Sequence, residues 1–83
     1  MLNIKILLVP DLEKLTRLIA QSKGKVFLLQ KNRTLYDLTE ENANMDFLKE
    51  EVRNRRKIDI YLSEKEDYFR FIYYFLAAKQ RED

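Results

Sequence analysis

Apolar and polar residues alternate over Ile4-Lys5-Ile6 and again over Ile58-Asp59-Ile60-Tyr61-Leu62. A two-residue period puts one side of each segment in a core and the other toward solvent, so both read as amphipathic strands. The first covers 3–9 and stops at Pro10, which has no N–H to continue a ladder. Between the two strands the period changes. Leu12, Leu15, Leu18 and Ile19 recur at intervals of three and four, which predicts a helix from Leu12 to about Lys23 with one apolar stripe. Asp11 is placed to cap its start, and Gly24 stands where a left-handed residue would end it.

Val26 to Lys31 is an apolar run too short for a helix, and Lys31-Asn32-Arg33 carries a turn signal in which Asn tolerates positive φ. Thr34 to Leu38 then reads as the returning strand of a hairpin. The next helix has two possible starts, Asp37 or Thr39 at once and Asn44 later. Met45, Leu48 and Val52, with Phe47 beside them, form its apolar face, and basic residues from Arg53 to Lys57 suit its C-terminal dipole. After the strand at 58–62, Ser63-Glu64-Lys65-Glu66 has the form of a capping box. Tyr68, Phe71, Ile72 and Phe75 mark the buried face of the last helix, with Phe69 and Leu76 on its flanks and a frayed polar tail from Gln80 to Asp83. Tyr73 and Tyr74 cannot both point inward beside Phe71 and Phe75, so at least one is expected outside.

The predicted order is βαββαβα in one α+β domain spanning residues 1–83. Four short strands with helices on one side make an open-faced β-sandwich. If Ile4, Ile6, Ile58 and Ile60 face the helices, then Lys5, Leu7, Asp59 and Tyr61 face out, joined by either Val26/Leu28 or Phe27/Leu29.

Composition narrows the chemistry more than the fold. The 83 residues include no His and no Cys. That removes the commonest general base, thiol nucleophiles, disulfides and thiolate metal sites. Adjacent carboxylates such as Glu40/Glu41, Glu50/Glu51 and Glu66/Asp67 do not converge when they lie on a helix. There is no glycine-rich phosphate loop or nucleophile elbow. The expectation is a non-enzyme without cofactor or metal. Net charge is only +2, but it is zoned: basic through residue 38, acidic over 39–52, basic over 53–57 and acidic beyond. Zoning of that kind suits a protein partner better than nucleic acid, and a homodimer is a further possibility. No apolar run approaches a membrane span, and a cytoplasmic location is expected.

Length, element order and final helix resemble the HPr family, the histidine-containing phosphocarriers of the sugar phosphotransferase system. Leu8 to Thr39 lies on that pattern without a gap, and Val26 to Thr39 has the length of its hairpin up to the second helix. The resemblance implies an HPr-like fold. It also exposes the departures. The family's Gly-Leu/Ile-His-Ala-Arg-Pro-Ala signature falls near Leu7-Leu8-Val9-Pro10-Asp11-Leu12. Leu8 takes the place of the phosphorylated histidine, and Pro10 and Asp11 take the places of the motif's Arg and Pro. An apolar side chain cannot carry a phosphoryl group, and Asp11 would repel one. The family's regulatory serine corresponds to Thr39, read here as an N-cap and as a possible regulatory position. The expected function is an HPr-like protein-binding or regulatory module without phosphocarrier activity. Its partner surface is expected to draw on Met45, Phe47, Arg53, Arg55, Arg56 and Tyr61. The alternatives are a ferredoxin-like nucleic-acid-binding domain using its open sheet face, against which strands one and three lack paired aromatics, or a structural homo-oligomer subunit.

Overall fold

The computed structural model describes residues 1–7, 12–55 and 57–81, with side chains through Leu76. The elements are β1 (Leu2–Ile6), α1 (Leu12–Ala20), β2 (Val26–Leu29), β3 (Leu35–Asp37), α2 (Met45–Asn54), β4 (Ile58–Leu62) and α3 (Lys65–Arg81). The expected order is therefore observed. The roles assigned to Leu8, Pro10, Asp11 and Arg56 lie outside the described residues.

The sheet order is β1-β4-β2-β3, antiparallel throughout. Two β-α-β units interlock to give it. The β1-α1-β2 unit leaves a gap that β4 fills, and the β3-α2-β4 unit leaves one that β2 fills. Register sorts the side chains. Ile4 faces Ile60, Ile6 faces Ile58, Val26 faces Leu62 and Leu28 faces Ile60. These residues are buried with Leu15 and Ile19 of α1, Leu48 of α2 and Phe71 of α3 in one core. A side chain of this size contributes about 1.5–3 kcal/mol when fully buried, so this layer is what holds a domain of 83 residues together.

Several boundaries differ from expectation, each for a local reason. Helix α1 stops at Ala20 rather than Lys23, and the Ser22 hydroxyl donates to the Leu18 carbonyl at its end (2.9 Å). Gly24 is not left-handed. Its constraint is space: a Cβ there would collide with Ser63 Oγ and Glu64 Cγ. In the β2–β3 turn the positive φ belongs to Arg33 (70°), not Asn32. Asn32 instead accepts from the Thr34 N–H (3.1 Å) and hydroxyl (2.6 Å). Helix α2 takes the later of its two possible starts. Asn44 is the N-cap, accepting from the Asp46 N–H at 3.0 Å, while its own N–H donates to the Tyr36 hydroxyl at 2.8 Å.

The capping box at Ser63 does not form. Ser63 Oγ accepts from the Lys25 N–H (2.7 Å), and Glu66 pairs with Lys23 (2.6 Å). Both side chains are drawn across to the α1–β2 turn instead of closing on their own helix. Phe69 and Leu76 lie on the solvent side of α3, not at the margin of its buried face, and Tyr73 is the exposed tyrosine.

Candidate interaction surface

The register that buries the isoleucines turns a second set of side chains away from the helices. Asn3 and Lys5 of β1, Asp59 and Tyr61 of β4, Phe27 and Leu29 of β2, and Leu35 and Asp37 of β3 share this face, and none is buried. Of the two β2 pairs the sequence left open, Phe27/Leu29 is the outward one. Phe27 and Tyr61 are direct cross-strand partners at the middle of the sheet. Leu29 faces Leu35, which is 40% exposed at the edge. Aromatic and apolar cross-strand pairs stabilise a sheet even in water, and here they also leave an apolar strip across two central strands and an edge.

The charged groups beside this strip are of both signs. Lys5 lies opposite Asp59 across the β1–β4 ladder. Asn3 Nδ2 reaches the Ile60 carbonyl at 3.3 Å and Asp59 Oδ1 at 3.5 Å. Lys25 Nζ is 3.2 Å from Asp37 Oδ2. Partial burial of the Asp37 carboxyl works against its ionisation. The Thr39 hydroxyl and N–H, which both donate to Asp37, and the Lys25 ammonium together outweigh that effect and hold its pKa below the ordinary value.

The expected partner residues do not assemble into one surface. Met45 and Phe47 pack toward the core, and the Phe47 ring lies 4.9 Å from that of Tyr36. Arg55 is occupied, donating to the Leu29 carbonyl at 3.0 Å and to Glu51 at 3.4 Å. Arg53 is exposed at the end of α2. Among the described members of the set, Tyr61 alone lies on the open sheet face. Thr39 is not an N-cap, because α2 begins at Met45. Its hydroxyl donates to Asp37 in the turn that follows β3.

A cleft of about 420 Å³ opens between the end of α1 and the segment 38–45. Buried Ile19 and Leu38 line it, with exposed Glu40 and Glu41 at its edge. Its two hydroxyls, on Ser22 and Thr39, are committed to the Leu18 carbonyl and to Asp37. The partner of Ser22 is a backbone carbonyl, and the Asp37 carboxylate that accepts from Thr39 is a weak base, its pKa held below the ordinary value. Among the described residues no group of three or more His, Cys, Asp or Glu is arranged to hold a metal ion, and no helix is long and apolar enough to cross a membrane. Sequence reasoning missed Asp67, which is buried and organises the turn beside this cleft. Comparison with protein-family models, with curated proteins and with solved structures gave no match.

Proposed function

We propose that this chain is a non-catalytic, HPr-like protein-binding or regulatory module of the cytoplasm, without phosphocarrier activity. The observation that carries the reading is the open sheet face, where Phe27, Leu29, Leu35 and Tyr61 form an apolar strip flanked by charges of both signs, Lys5 opposite Asp59 and Lys25 paired with Asp37. Apolar strips with polar margins are typical of protein interfaces, and aromatic residues at their centre dominate the energetics. A surface of balanced charge favours a protein over a polyanion.

The outward side chains weigh against the nucleic-acid alternative. β1 and β3 present no aromatic residue on the open face, and the cations near the Phe27–Tyr61 pair, Lys5 and Lys25, lie against Asp59 and Asp37 instead of forming the basic groove that tracks a backbone. For the absence of phosphocarrier chemistry, the supporting fact is a sequence with no histidine.

A photo-reactive phenylalanine analogue at position 61, compared with one at exposed position 17 on α1, tests the reading in the source cell. A protein adduct formed from position 61 and not from position 17 is the expected result. Adducts from position 17 alone would overturn it. Incubation with phosphoenolpyruvate and enzyme I is expected to leave the chain unphosphorylated, and a phosphoryl-protein would overturn that part.

A further inference from the structure

Helix α3 is apolar on two sides. Phe71 is buried, with Tyr68, Ile72 and Phe75 packed against the core. On the opposite side Phe69, Tyr73 and Leu76 follow at i, i+4 and i+7, and they are 58%, 76% and 56% exposed. A helix of a soluble domain normally turns its second side to water with polar residues, and apolar character all round belongs to helices that are covered. These three are half of the large hydrophobic residues exposed among the described residues, and they lie on one line.

We infer that this stripe is a self-association surface, on which α3 of a second copy packs antiparallel. Two observations favour a second copy. The stripe is centred on the helix, since Tyr73 is the middle residue of the 17 in Lys65–Arg81. A two-fold axis between Ile72 and Tyr73 therefore aligns both helices over their full length and sets Phe69 of each against Leu76 of the other. A self-complementary patch is what a two-fold interface requires.

The exposed charges beside the stripe are two cations and one anion, Lys65, Arg70 and Glu66, and Glu66 is paired with Lys23, so like-charge repulsion weakens the association and salt is expected to strengthen it. The area also fits. With aromatic side chains presenting ~200 Å² each, the three residues offer roughly 350 Å² per copy. With the flanking charged side chains, two copies bury about 1,000 Å², the lower end of specific interfaces. The association is therefore weak and depends on concentration. It uses the side of the molecule opposite the open sheet face and does not rest on the reading of that face.

Sedimentation of the full chain over a concentration series reaching roughly 1 mM tests it. The mass is expected to rise from one chain of 10.1 kDa toward two. Tyr73→Glu is expected to hold it at one chain with its circular dichroism unchanged, and Phe27→Asp on the sheet face is expected to leave the rise intact. Because the chain has no cysteine, Tyr73→Cys provides a second readout. Oxidation is expected to give a covalent dimer in high yield, and Arg17→Cys is not. A single-chain mass at every concentration overturns the inference, as does a dimer that survives Tyr73→Glu or is lost in Phe27→Asp.

Discussion

The carboxylate of Asp67, in the first turn of α3, accepts the backbone N–H groups of Lys23 (3.0 Å) and Gly24 (2.9 Å) in the α1–β2 turn. Asp67 is 1% exposed and is the one buried charged residue among those described. It ties the start of the last helix to a turn more than forty residues earlier in the chain. Hydrogen bonds to a charged acceptor are stronger than neutral ones, and losing the acceptor leaves two donors unpaired. Asp67→Ala is therefore expected to destabilise the fold by about 3 kcal/mol. Asp67→Asn keeps one acceptor oxygen and is expected to cost less. Urea unfolding of both variants checks the order, and equal stability of Asp67→Ala and the parent would contradict it.

Gly24 is needed for the close approach of Ser63 and Glu64, not for a left-handed backbone. Gly24→Ala is expected to cost about 2 kcal/mol through overpacking. Part of that loss is expected to return in the double variant with Glu64→Ala, which removes one of the two colliding atoms. A double-mutant cycle reads this coupling directly. Purely additive losses would show that the glycine is required for some other reason.

Arg33 holds φ at 70° in the β2–β3 turn, a conformation that costs a residue with a side chain roughly 1–2 kcal/mol. Arg33→Gly relieves that strain while adding freedom to the unfolded chain. The expected net gain is about 0.5 kcal/mol, visible as a higher urea midpoint at unchanged slope.

Stability is expected to fall in acid partly through Asp37. Its folded pKa lies below its unfolded value near 3.8, so its contribution is present in full above the unfolded value. It is lost as pH falls through the folded one. Asp37→Asn is expected to be less stable than the parent at neutral pH, and the difference is expected to shrink as pH falls below the unfolded value near 3.8. Urea unfolding across that range measures it, and a gap that stays constant with pH would contradict the assignment.

The strands and their inward faces are legible in the sequence because a two-residue period admits one answer once Ile4, Ile6, Ile58 and Ile60 are set inward. The outward pair of β2 was not, since Val26-Phe27-Leu28-Leu29 is apolar throughout and its register depends on β4. Helix α3 posed the same difficulty. With apolar residues on both sides, its period does not say whether Phe69 and Leu76 face the core, and only packing against β1 and β4 decides. Asp67 went unnoticed because an acidic residue in a helix's first turn already suits the dipole. Its partners at Lys23 and Gly24 are a tertiary fact that no local pattern carries. On the candidate surface, Lys5, Asp59 and Tyr61 were legible from the two-residue period, and Phe27 and Leu29 only as one of two possible pairs. Phe47 and Arg55 drew attention as an aromatic and a cation, but their side chains are occupied by Tyr36 and by the end of β2.

In the proposed function the Phe27–Tyr61 pair is the centre of the partner contact on the open sheet face. Affinity for the partner captured from position 61, measured for the parent and for Phe27→Ala/Tyr61→Ala, tests it most directly. The expected result is a loss of about tenfold or more, equivalent to about 1.4 kcal/mol, with the fold retained. An affinity unchanged in the double variant would contradict the claim.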